Sequence, residues 1–126
     1  MGAKILVVDD DLPILELLKC DFTAEGFEVR TARNEEEFRR QALSEKPDLI
    51  VLDIMLGDKN GPLVYDELLA QGLDRSIPVI FLSALAENGT PNSGAPGRKY
   101  LLCGKPFDSD ELIREIRNLV GNKVRA

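Results

Sequence analysis

Leu49-Ile50-Val51-Leu52 are four apolar residues in succession, followed at once by Asp53. A run without alternation reads as a strand buried on both faces, the pattern of a parallel sheet covered by helices. A buried helix segment could show the same run. Pro47 before it, and Gly57, Asn60 and Gly61 after it, leave length only for a strand. Ile5-Leu6-Val7-Val8 repeats the pattern and stops at Asp9-Asp10-Asp11, and Pro78-Val79-Ile80-Phe81-Leu82 ends in the hydroxyl of Ser83. Tyr100-Leu101-Leu102-Cys103 reads as another strand, followed by Gly104-Lys105-Pro106. Phe27-Glu28-Val29-Arg30-Thr31-Ala32 alternates instead, as a strand nearer a sheet edge would.

Between the strands the period changes to that of helices. Ile14, Leu15, Leu18 and Phe22 recur at helical spacing behind Asp11, a candidate N-cap, and Pro13, with Gly26 ending the helix. Asn34 with Glu37 three residues on is a capping-box signature for a helix through Phe38, Ala42 and Leu43 to about Glu45. Asp58-Lys59-Asn60-Gly61 reads as a turn, after which Pro62 opens a helix carrying Leu63, Val64, Leu68 and Leu69 and closed by Gly72. Asp108 and Glu111 cap a last helix, with Leu112, Ile113, Ile116, Leu119 and Val120 as an apolar stripe before Gly121.

This alternation predicts an α/β fold, a doubly wound five-stranded parallel sheet in the flavodoxin-like order 2-1-3-4-5. One stretch breaks it. Between Ser83 and Tyr100, where a fourth helix is due, residues 87–97 hold three glycines, two prolines, two asparagines, a serine and a threonine. Interior Gly costs a helix about 1 kcal/mol and Pro about 3, so a loop is expected there in place of the fourth helix.

At 126 residues, 44% hydrophobic and 30% charged, the chain suits one domain, read as residues 1–121 with 122–126 as a tail or the start of a linker. No run approaches the ~18 apolar residues of a membrane span, and the start has no signal-peptide layout, so a cytoplasmic protein is expected. Cys20 and Cys103 are too few and too far apart for a disulfide framework or a zinc site and read as buried apolar thiols. A net charge of −6 without a basic block argues against nucleic acid as a direct partner. With no histidine in the chain, His-based catalysis and His-ligated metals are excluded.

In open parallel sheets ligands bind beyond the carboxyl ends of the strands. The sequence places Asp9 and Asp10 there after one strand, and Asp53, Ser83 and Lys105 at the ends of three more. Carboxylates held together repel unless one is protonated or a cation sits among them, and a hard divalent ion such as magnesium takes oxygen ligands of this kind. Lys105 would supply a fixed positive charge, and Ser83 a donor, for an anionic group arriving at Asp53. Such a set suits phosphoryl transfer, which rests on positioning and charge neutralisation. Asp11 and Asp58 read as a helix cap and a solvated loop residue.

The ordered set Asp9-Asp10, Asp53, Ser83-Ala84 and Lys105-Pro106-Phe107 closely resembles the receiver domains of two-component response regulators, over about Lys4 to Gly121. That resemblance implies that Asp53 is the phosphoacceptor, taking its phosphoryl group from a phosphohistidine on a sensor histidine kinase or a histidine phosphotransfer protein. It implies magnesium bound directly by Asp10 and Asp53, by Asp9 through water, and by the backbone carbonyl of Met55. It also implies that Ser83, Ala84 and Lys105 contact the phosphoryl group, with Ser83 as the switch hydroxyl. No enzyme in the ordinary sense is expected, only self-phosphorylation and self-dephosphorylation.

The departures from the family pattern bear on the switch. Gly57 stands where the family usually has Pro, and Leu102 stands at the switch-aromatic position three residues before Lys105, with Tyr100 five before it. The expectation is that phosphorylation orders or repositions the 87–97 loop instead of rotating an aromatic against a preformed helix. Met55 and Leu85 hold positions that influence water attack on the acyl phosphate in this family; neither hydrogen-bonds water strongly, so slow self-dephosphorylation is expected. Two other functions compete. A phosphorylation-independent interaction module would fit Leu102 and the missing helix but not the intact acidic set. A hydrolase using Asp53 as nucleophile would commonly place a second acid two residues later, where this chain has Met55.

Overall fold

A computed structural model describes residues 3–56, 59–74, 76–83, 100–104 and 109–124. The apolar runs become the strands of one parallel sheet: β1 (Lys4–Val8), β3 (Leu49–Asp53), β6 (Val79–Ser83) and β7 (Tyr100–Gly104), with β2 (Glu28–Ala32) completing it. Their order is β2-β1-β3-β6-β7, the order expected. The alternating strand lies at an edge, and β3, all five residues of which are buried, lies at the centre. A two-residue antiparallel pair, β4 (Met55–Leu56) with β5 (Lys59–Asn60), forms where the sequence reads simply as a turn.

The helices α1 (Leu12–Ala24), α2 (Glu35–Glu45), α3 (Gly61–Ala70) and α4 (Ser109–Val124) cover both faces. Strand side chains alternate between faces, so β1 and β3 feed two cores at once. On one face Ile5, Val7, Leu49 and Val51 pack with Leu18 and Phe22 of α1 and with Leu112 and Ile116 of α4. On the other, Leu6, Val8, Ile50 and Leu52 pack with Phe38 of α2 and with Val64 and Leu68 of α3. Phe22 and Phe38 are each fully buried, and truncating either to Ala should cost about 3–5 kcal/mol.

The caps of α1 and α2 follow the sequence with one adjustment, while Asp108, read as a cap of α4, lies outside the described residues. Asp11 Oδ1 accepts the Ile14 amide at 3.4 Å and Asn34 Oδ1 the Glu37 amide at 2.9 Å. The Glu37 carboxylate, however, reaches back to the Arg33 amide at 2.9 Å, one residue beyond the cap itself. Gly26, at φ +96°, follows α1 as expected. The last helix runs through Gly121 to Val124, further than the apolar stripe marks.

Cys20 is exposed, against the expectation of a buried thiol. Leu15, Leu18 and Phe22 form the buried stripe of α1. At about 100° per residue, Cys20 lies some 200° from both Leu18 and Phe22, which turns it to the outside. Leu17 at 49% exposure and Leu63 at 58% lie outside the buried stripes of α1 and α3.

Arg39 ties α2 to α3, donating to Glu35 at 2.5 Å and to Glu67 at 2.6 Å. Hydrogen bonding to Glu35, then to Glu67, holds this guanidinium above its ordinary value. At the amino end of the sheet the Lys4 amide donates to Asp48 Oδ2 at 2.8 Å while the Asp48 amide donates to the Lys4 carbonyl at 2.8 Å. No described helix is long and apolar enough to cross a membrane. The 87–97 loop, Gly57, Asp58, Leu85, Ala84 and Lys105 lie outside the described residues.

Candidate functional site

The register of the sheet assembles the site. Val8 of β1 pairs with Leu52 of β3, so the residues that follow, Asp9 and Asp53, leave the sheet side by side. Asp53 in turn pairs with Leu82, and the next residue of β6 is Ser83, itself paired with Gly104 of β7. Lys105 follows Gly104 in the sequence. Thus the backbone brings Asp9, Asp53 and Ser83 to one edge, as expected for a parallel sheet, while the described residues stop one short of Lys105.

Asp9 is fully buried and Asp53 is 7% exposed, whereas Asp10 is exposed. Carboxylate oxygens of all three lie within 4.8 Å of one another. Asp9 is oriented by the Asp11 amide, which donates to its Oδ1 at 2.9 Å, and its own amide donates to the Ala32 carbonyl at 3.1 Å. Carboxylate oxygens gathered this closely are the kind of donor set that a divalent cation takes. Three hard oxygen donors, one of them open to solvent, fit a magnesium ion that keeps several waters.

Beyond Asp53 the chain is held in place. The Ile54 amide donates to the Leu82 carbonyl at 2.9 Å, extending the β3 ladder past the carboxylate, and the Gly61 amide donates to the Ile54 carbonyl at 2.6 Å. Ile54 and Gly61 are therefore pinned to each other and Ile54 to β6. Met55 lies between them, with its backbone paired in register with Asn60. The sequence marked Gly61 only as part of a turn; its amide closing the loop beside Asp53 was not legible there. Tyr100 pairs with Val79 and Leu102 with Phe81, both toward the body of the sheet and away from Ser83.

Comparison with known proteins agrees with this geometry. The response regulator receiver domain family matches residues 5–117. The alkaline phosphatase synthesis transcriptional regulatory protein PhoP of Bacillus subtilis (strain 168) is 44% identical over 95% of this chain, which spans 49% of that protein. The response regulator PleD of Caulobacter vibrioides is 34% identical over 98% of this chain, which spans 27% of it. The chain thus spans half or less of the length of these relatives. Among solved structures, the receiver domain of the Francisella response regulator 1452 superposes with a TM-score of 0.76 at 29% identity, covering 97% of this chain and 99% of that one. A sheet that exits on paired carboxylates, matched from β1 into α4, leaves one conclusion: the chain belongs to the response regulator receiver domain family.

Proposed function

We propose that Asp53 is the phosphoacceptor of a two-component phosphorelay and that this domain signals through the change its phosphorylation brings. The convergence of the Asp9, Asp10 and Asp53 carboxylates within 4.8 Å at the carboxyl edge of the sheet is the observation that supports this reading. An Asp53 oxygen attacks the phosphorus of a phosphohistidine on a histidine kinase or phosphotransfer protein. The P–N bond breaks as the P–O bond forms, and the imidazole leaves with the electron pair and takes a proton from solvent. Asp10, Asp53 and the Met55 carbonyl would hold magnesium directly, and Asp9 through water. When bound, magnesium neutralises charge on the carboxylates and the phosphoryl oxygens. Ser83 and the backbone at Ala84 hold the arriving oxygens, with Lys105 as counter-charge, and the response passes through the strand bearing Tyr100 and Leu102. The chemistry takes place in the cytoplasm, and self-dephosphorylation is slow because Met55 and Leu85 hydrogen-bond water poorly.

Intact mass after incubation with a small-molecule phosphodonor and magnesium tests the proposal. One added phosphoryl group, absent from Asp53→Ala and from a chelated sample, is the expected result. A mass unchanged with both a small donor and a phosphorylated histidine kinase would overturn it in favour of a domain that signals by binding alone.

A further inference from the structure

The glycines with described surroundings fall into two kinds. Gly26 and Gly72 adopt φ +96° and +109°, and a Cβ on either would meet nothing within 4 Å. Gly61 is not among the glycines of positive φ, so its backbone conformation does not demand glycine. Space does. A Cβ on Gly61 would overlap the carbonyl oxygen of Asp53 and stand 3.2 Å from that residue's carbonyl carbon and 3.2 Å from the Ile54 carbonyl oxygen. All three are backbone atoms, so no side-chain rotation relieves the overlap. Either the first turn of α3 retreats or the peptide following Asp53 shifts.

That peptide carries the acceptor on one side and leads into Met55 on the other. The Gly61 amide grips the next peptide, between Ile54 and Met55, through the 2.6 Å bond to the Ile54 carbonyl, and Asn60 fixes the same turn by accepting the Leu63 amide at 2.9 Å. We infer that Gly61 is a positioning residue: its bare Cα lets α3 dock on the Asp53 backbone and sets the placement of the acceptor carboxylate and of the Met55 carbonyl for a divalent cation. This rests on the reading of Asp53 and Met55 proposed above. Gly61 touches neither cation nor phosphoryl group, and it acts by fixing where the ligands stand.

Magnesium affinity, measured by calorimetry on the folded domain, separates positioning from mere stability. Gly61→Ala should weaken magnesium binding at least about tenfold, the loss typical when the support of a metal ligand is disturbed. Gly72→Ala strains the far end of the same helix; it should lower the melting temperature while leaving magnesium affinity within about twofold. Gly61→Ala binding magnesium within twofold of the parent would overturn the inference. Should Gly61→Ala not fold, Asn60→Ala loosens the same turn without adding an atom, and Asn34→Ala removes the matching cap from α2. About threefold weaker binding in Asn60→Ala alone is then expected, and equal affinities in the two would overturn the inference. The acidic cluster itself is checked separately. Absent binding in the parent, or undiminished binding in Asp10→Ala, would refute the proposed cation site and not the role of Gly61.

Discussion

The two ends of the sheet handle charge in opposite ways. At the amino end Asp48 and Glu45 each have a donor from β1 or β2 beside them. Asp48 accepts the Lys4 amide, and Glu45 pairs with Lys4 Nζ at 3.3 Å and with Arg30 at 3.5 Å. At the carboxyl end Asp9, Asp10 and Asp53 are brought together within 4.8 Å, and two of the three are buried. The first arrangement stabilises the fold by itself, if modestly. The second sets hard oxygen donors side by side, an arrangement that suits a divalent cation. Stability and function are thus divided between the ends of the same five strands.

Substitutions at the carboxyl end should break function and spare the fold. If Asp53 is the acceptor as proposed, Asp53→Asn should reduce phosphoryl uptake, read by intact mass, by on the order of 100-fold or more, because the proposed nucleophile has gone. Asp10→Ala should weaken magnesium binding roughly tenfold or more, since it removes one of the few charged oxygen ligands proposed above. At magnesium about 100-fold above the parent's dissociation constant the parent should gain about 2.7 kcal/mol, and a tenfold weaker Asp10→Ala only about 1.4. At the amino end the pattern reverses. Asp48→Ala should cost about 1–3 kcal/mol in denaturant unfolding by stranding the Lys4 amide, with phosphoryl uptake by the folded domain unchanged. Smallest of all, Arg39→Ala, which unlinks α2 from α3 at a largely solvated site, should cost about 0.2–1 kcal/mol by the same measurement.

The strands and their order were legible because β1, β3 and β6 are apolar without interruption, and a strand buried on both faces needs no partner to identify it. Asp9, Asp10 and Asp53 were legible for a related reason: each follows such a run, and a parallel sheet sends every carboxyl end the same way. Where the sequence misled, the cause was local. Cys20 was judged by residue type when its angle on α1 decided its exposure. The pairing of Met55–Leu56 with Lys59–Asn60 spans so few residues that turn composition hid it. Gly61 reads in the sequence only as part of a turn, and the packing of α3 on β3 reveals its steric role.

The paired hydrogen bonds between Lys4 and Asp48 have a consequence for alignment. A strand apolar on both faces carries no alternation to resist sliding, since a slip of one residue still buries oil against oil. It would, however, carry Asp53 about 3.3 Å along the sheet and onto the opposite face. What opposes the slip is polarity at the two extremities, and Asp48, one residue before β3, engages β1 in a single register. The residue furthest from the chemistry along β3 therefore acts as its end-stop. It favours correctly aligned molecules during folding and leaves the reactivity of the aligned ones alone.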